Sequence, residues 1–179
     1  VRSRLFGRRL VSTGFAVRAG PIADDAVAEA ALLAEARKLA DDAGVACIEV
    51  RAGLPERQDR VVRDGFYANF RKGIEPDDDA NLKAIPRKQR AMVRKGLNAG
   101  LTSRADLDVE TCYRIYASSV RNLGTPVFPK AWFRALVAAF PNESDVTTVL
   151  TADGQPVASV LSFFFRDTVL PYYGGGLAS

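Results

Sequence analysis

The sequence predicts an α/β protein, a mixed sheet flanked by helices, and three observations carry that expectation. The apolar run Leu10–Arg18 is followed by a helical pattern, a glycine and a second apolar run, Val45–Val50. A strand–helix–strand order of this kind requires a crossover and leaves its two strands parallel. Two helical patterns then occupy 108–140, and after them come three apolar runs, Val146–Ala152, Val157–Phe165 and Thr168–Tyr173, separated by Asp153-Gly154 and Arg166-Asp167. An Asp-Gly pair between apolar runs is a strong hairpin signal, so this half reads as two helices and an antiparallel meander.

Along the chain, Gly20-Pro21 ends the first strand. Asp24 and Asp25 open the next helix with negative charge at its positive end, Val27, Ala30, Ala31 and Ala34 recur at helical spacing, and Gly44 caps it. Gly53–Asp64 is polar, holds Pro55 and reads as a loop. Over Phe66–Ile74, Phe66, Ala68 and Phe70 alternate with Tyr67, Asn69 and Arg71, which is strand period. Pro76 and Asp77–Asp79 then form a turn and helix cap. Asp108 caps a helix with Val109, Cys112, Tyr113, Tyr116 and Val120 on one face, ending at Gly124-Thr125-Pro126. Pro129 starts another with Trp132, Phe133, Leu136, Val137 and Phe140 inward. Finally, Phe15–Gly20 lies over Leu170–Gly175 at an offset of 155, each a strand end running into glycine. Joined head to tail, the two segments make a unit of strand, helix, helix, three strands, helix, strand.

The densest charge lies in Ala84–Leu101, AIPRKQRAMVRKGLNAGL. Pro86 suits the first helical position, and Gly96 and Gly100 bracket the exit. At ~100° per residue Lys83, Arg87, Arg90 and Arg94 share a face, with Lys88 and Lys95 beside them and Ile85, Met92, Val93 and Ala99 opposite. No Asp or Glu lies between Lys83 and Lys95 to neutralise the cations. A charged helix face is commonly just solvated, but surface helices normally mix signs, and this one points to an anion from outside the segment.

Composition narrows the chemistry. The 179-residue chain is 47% hydrophobic, enough to bury a core. Its net charge is +4 while six cations lie within Lys83–Lys95, so the positive field is local and marks a site more than a general nucleic-acid coating. The absence of histidine removes Ser/His/Asp triads, Cys/His dyads and His-ligated metals. Cys47 and Cys112 are far apart in sequence and show neither a disulfide framework nor zinc spacing. No run approaches the ~18–20 apolar residues of a membrane span, and Val1–Leu10 is too basic for a signal-peptide core, so a cytoplasmic protein is expected. A chain that opens on Val1 without methionine and stops at Ser179 just past a glycine run reads as a piece of a longer protein.

The order of elements is that of the GNAT acyltransferase fold, and four stretches carry a closer likeness: FGRRLVST at Phe6–Thr13, AIPRKQRAMVRKG at Ala84–Gly96, VRNLGTPVFPKAWFRAL at Val120–Leu136 and PVASVLSFFFRDTVLPYYGGG at Pro156–Gly176. The chain resembles FemAB-like aminoacyltransferases, which contain two GNAT-like repeats, and among them the FemAB-related proteins associated with exosortase (PEP-CTERM) systems. The resemblance implies that 1–103 is the C-terminal half of a first repeat, basic helix included, and 104–179 the N-terminal half of a second. It implies an N-acyltransferase or aminoacyltransferase acting on a nucleotide- or lipid-linked precursor of the cell envelope, peptidoglycan-like, or of an exopolysaccharide. An acceptor amine would attack a carbonyl carried by aminoacyl-tRNA or acyl-CoA, with no tightly bound cofactor and no metal.

In the peptidoglycan members basic residues of this region help hold the acceptor's diphosphate, so by resemblance Arg87, Lys88, Arg90, Arg94 and Lys95 are the acceptor-binding candidates. Arginine forks suit phosphate oxygens. Tyr172, Tyr173, Gly174 and Gly175 lie where a GNAT-like fold splays its central strands and receives the donor; glycines allow close approach, and a tyrosine hydroxyl can donate to a developing oxyanion. The family's Phe-Lys stretch has no counterpart here, and no catalytic residue or general base is assigned. Arg121-Asn122-Leu123-Gly124-Thr125-Pro126 is similar to a CoA-binding pyrophosphate loop, yet Pro126 replaces a glycine and a helix precedes it, so it reads as a helix cap. Two other readings stay open: an acyl-CoA-dependent GNAT N-acetyltransferase acting on a small amine, and a non-catalytic module whose basic helix grips RNA or anionic lipid.

Overall fold

A computed structural model describes every residue except 1, 4, 6, 15, 17, 55–59, 64, 66, 67, 178 and 179, and divides the chain into two units, Val1–Arg71 and Lys72–Ser179. In the first, β1 (Arg2–Ser3) pairs antiparallel with β2 (Gly7–Arg8). The crossover expected from sequence is present: β3 (Leu10–Val11) and β4 (Ile48–Glu49) pair in parallel, Leu10 opposite Ile48, on either side of α1 (Ala26–Asp42). The Asp25 carboxylate accepts the Ala28 N–H at 2.7 Å, satisfying a donor that the first helical turn leaves without a partner.

Three expectations for this unit are corrected. Both parallel strands are two residues long, not nine and six, and Ala19, just past the expected first strand, makes only a lone antiparallel bridge to Arg51. The inward stripe of α1 is Leu33, Ala36 and Ala40, whereas Val27 points out; a helix so rich in alanine has no single apolar face for periodicity to find. Ala68–Ile74 forms no strand, and Phe70 is exposed, because alternation alone supplies no neighbouring strand to complete the ladder. Phe66 and Tyr67 lie outside the described residues, as do Phe15 and Val17 of the internal echo, Phe6 of the first matching stretch and half of the Gly53–Asp64 loop.

The second unit opens with a helical elbow. Asp77 caps α2 (Asp78–Lys83), its carboxylate accepting from the Asp79 and Ala80 N–H groups, and α3 (Arg87–Leu97) follows. Pro86 sits at the N-cap and not at the first helical position, and Lys83 ends α2 and so does not belong to the basic helix.

Next comes β5 (Thr102–Asp106), which sequence reasoning missed; a polar Thr-Ser-Arg-Ala-Asp strand at a sheet edge shows no apolar alternation. Its partner strand is β6 (Ser144–Leu150), reached through α4 (Val109–Asn122) and α5 (Lys130–Ala139). β7 (Pro156–Phe165) and β8 (Thr168–Gly176) complete an antiparallel sheet in the order β5-β6-β7-β8. Strand, helix, helix and three strands are thus contiguous, with β5 as the opening strand.

Asp108 caps α4 by accepting the Thr111 N–H at 3.0 Å, and this backbone bond, with the Thr111 hydroxyl and Arg104 adding to it, holds its carboxyl below the usual range. Glu110 of α4 accepts from Lys130 and Arg134 of α5, tying the helix pair together at the surface.

The core lies between α4, α5 and one sheet face. Cys112, Ile115, Phe133, Val146, Thr148 and Leu161 are fully buried there. Val109, Cys112, Tyr113 and Tyr116 face it as the helical spacing predicts, while Phe140, expected inward, ends α5 and is 46% exposed. Thr148 and Ser159, opposite one another on β6 and β7, share a buried hydrogen bond of 3.1 Å, so these hydroxyls enter the core with a partner.

Gly175 lets α4 approach the sheet. A Cβ there would lie 2.7 Å from Ser119 Cβ and 3.2 Å from Tyr116 Cα. Gly175→Ala is therefore expected to force α4 outward and cost about 1–3 kcal/mol, measured by chemical denaturation, with Gly176→Ala as a control; the control position has only a carbonyl oxygen at 3.8 Å.

Candidate functional site

Two surfaces hold the residues singled out from sequence. The first is α3, RKQRAMVRKGL, with no acidic side chain along its length and none of its residues buried. Seven-residue spacing brings Arg87 into line with Arg94 and Lys88 with Lys95, each pair about 10 Å apart along the axis. Ala91, with only a methyl group, floors a shallow depression whose rim is Arg87, Arg90, Arg94, Lys95 and Asn98. Arg87 and Lys88 sit in the first turn with no side-chain cap, where the backbone N–H groups are already the positive end of the helix. Cations at that end repel the dipole, and an anion bound there relieves both.

The five cations are not equivalent. Arg90 is held within the elbow: its Nη2 donates to the carbonyls of Lys83 at 2.8 Å and Ile85 at 2.9 Å, and its Nε to Ile85 at 3.1 Å. These are carbonyls at and just past the C-terminal end of α2, so Arg90 fixes the angle at which α3 leaves it. Arg87, Lys88, Arg94 and Lys95 make no hydrogen bond or ion pair among the described residues. The acidic run Asp77–Asp79 leaves them unpaired and serves α2 as cap and first turn.

The second surface is β8. Between Leu161 and Ser162 of β7 the register slips: Leu161 faces Tyr173 and Ser162 faces Pro171, so Tyr172 is the extra residue of a bulge. Successive strand residues normally point to opposite faces. The bulge instead puts the Tyr172 and Tyr173 rings on the same side, centroids 4.8 Å apart and both against the core.

Tyr173 is buried, 5% exposed, among Phe133, Tyr116 and Phe128, and its hydroxyl oxygen accepts the Trp132 Nε1–H at 3.0 Å. Burial pushes its phenol pKa up, as it does the Tyr116 phenol and the Cys112 thiol. Tyr173 is thus a core residue lying behind β8, and Tyr172 is half-buried at the bulge. Gly174 packs over Val160 and Gly175 under Ser119, so their missing side chains admit the protein's own β7 and α4. Among the described residues β8 pairs only with β7, and its outer edge presents backbone donors and acceptors.

Sequence reasoning missed the bulge and the Trp132–Tyr173 bond; only the adjacent tyrosines, one too many for a strict alternation, hinted at the bulge. It read Arg121–Pro126 correctly: α4 ends at Asn122 and Gly124 takes φ +73° just past its cap. No helix among the described residues is long and apolar enough to cross a membrane.

A search of curated proteins finds no match to the chain. Residues 83–178, from the end of α2 through β8, match the family model described as the acetyltransferase (GNAT) domain. That stretch takes in the basic helix, the aromatic core and the whole four-stranded sheet, more than half of the molecule, and the chain belongs to this GNAT/FemAB-like family of acyltransferases.

Proposed function

We propose that the protein is an N-acyltransferase of FemAB type that transfers an acyl or aminoacyl group to an amine on a phosphate-bearing acceptor, a nucleotide- or lipid-linked precursor of the cell envelope or an exopolysaccharide. The observation that carries this reading is α3: four cations without partners among the described residues, inside a stretch that matches an acyltransferase domain. Arg87, Lys88, Arg94 and Lys95 hold the acceptor phosphates, and Arg90 positions α3 from the elbow. The donor lies along the open edge of β8 by Tyr172 and Gly174, while Tyr173 and Gly175 support that strand from behind. Rate comes from holding amine and carbonyl together and from donors aimed at the developing oxyanion. In this reading 1–103 is the C-terminal half of a first GNAT-like repeat and 104–179 the N-terminal half of a second; the junction falls inside β5.

The family description, an acetyltransferase, favours acyl-CoA as donor, and the FemAB likeness favours aminoacyl-tRNA. A transfer assay offering each labelled donor separately with nucleotide-linked precursors decides between them. Label passing to an acceptor amine from either donor is the expected result and names the donor; retention of label by both, with the protein folded, overturns the acyltransferase reading.

A further inference from the structure

The side of α3 away from Arg87 and Arg94 is uncovered and carries Met92 and Val93 on either side of Gln89 and Gly96, with Leu97 at its edge. Met92 is 64% exposed, Leu97 69%, and Val93 also lies open. At ~100° per residue Met92, Gly96, Gln89 and Val93 fall on an arc facing away from Arg87 and Arg94, with Lys88 flanking it on the Met92 side and Leu97 at its other edge, next to Arg90. A helix that is wet on its cationic side normally buries the other side in the protein. In α3 neither side is buried.

We infer that α3 is a membrane-surface contact that seats Met92, Val93 and Leu97 in the headgroup–acyl boundary of an anionic bilayer, with Lys88, Arg87, Arg94 and Lys95 reaching anionic headgroups. Charge complementarity selects that occupant. Unopposed cations beside exposed aliphatic and thioether side chains match a surface that is anionic outside and hydrocarbon beneath. Long cationic side chains at the flank of the apolar arc extend back to the headgroup level. A single-stranded nucleic acid would match the charge alone, since the Ala84–Leu101 segment has no aromatic residue on which a base can stack and binding would leave Met92 and Leu97 in water. Eleven residues make a short contact, so the attachment is reversible and depends on both faces together. It shares with the acyltransfer reading the four cations that reading assigns to acceptor phosphates, and adds the apolar side chains, which that reading does not use.

The test is sedimentation of the whole chain with vesicles of phosphatidylcholine mixed with phosphatidylglycerol, against vesicles of phosphatidylcholine alone. The expected result is binding to the mixed vesicles only, weakened by salt, and weakened about tenfold by Met92→Gln with Leu97→Gln. Both positions are exposed, so the double variant should keep its far-ultraviolet dichroism and its affinity for a soluble nucleoside diphosphate. Loss of vesicle binding with nucleotide affinity retained separates the apolar arc from the phosphate site. Failure of the wild-type chain to bind mixed vesicles overturns the inference. So does binding that salt weakens but the double variant leaves unchanged, or a preference for single-stranded RNA over the vesicles.

Discussion

Replacing Arg87 and Arg94 with glutamate is expected to weaken binding of a nucleoside diphosphate about a hundredfold. Each reversal removes a charge-assisted contact and adds repulsion, and a loss of about 1.4 kcal/mol per site corresponds to tenfold in affinity. Neither side chain bonds to another described residue, so the folded state loses nothing specific when they change. The control is a double reversal of Arg114 and Arg121 on α4, which alters net charge equally at a distance from the depression. Calorimetry at low and moderate salt reads the outcome. A control that weakens binding as much as the α3 variant would mean that the protein's overall field attracts the ligand; an unchanged α3 variant would remove the phosphate site altogether.

That prediction was legible from residues 84–101 because an uninterrupted run of one charge needs no tertiary information to be seen. What the sequence could not show was which cation would be taken. Arg90 sits in the middle of the row by periodicity, yet it is the one whose guanidinium closes the α2–α3 elbow, and that role depends on carbonyls whose direction is set only when Pro86 bends the chain. The meander was likewise readable, since Asp153-Gly154 and Arg166-Asp167 demand turns that only local chemistry decides, and Gly154 at φ +82° and Arg166 at φ +53° adopt them.

β5 was invisible for the opposite reason. Its strand state comes from pairing with β6, 40 to 48 residues on, and its own side chains are mostly polar. The glycines of β8 pointed to a close approach but could not name what approaches. Ser119 and Tyr116 of α4 fill the space above Gly175, so at that position the missing side chain admits the helix. Tyr173 follows the same logic: a tyrosine near a glycine run reads as a site residue until the bulge at Tyr172 turns it inward.

The aromatic core that receives Tyr173 sets the second large effect. Phe133→Ala is expected to destabilise the Lys72–Ser179 unit by about 3–5 kcal/mol. Phe133 is fully buried, and its ring meets those of Tyr173 at 4.8 Å, Tyr116 at 5.1 Å and Tyr113 at 5.3 Å, the last edge-on. Truncation removes the transfer energy of the ring, leaves a cavity between α4, α5 and β8, and deletes three aromatic contacts of about 0.5–1.5 kcal/mol each that overlap with those terms. Phe133→Leu keeps most of the volume and loses mainly the ring contacts, so it should cost clearly less. Trp132 is the sole tryptophan and donates to Tyr173 in this core, so its fluorescence during urea unfolding follows this unit. A shift in midpoint at constant slope gives the cost directly. If Phe133→Ala fell below about 1 kcal/mol, the ring cluster would not be what holds β8 in place. The bulge at Tyr172 would then need another support, because the outer edge of β8 has no described strand to hold it and its inner face rests on that cluster.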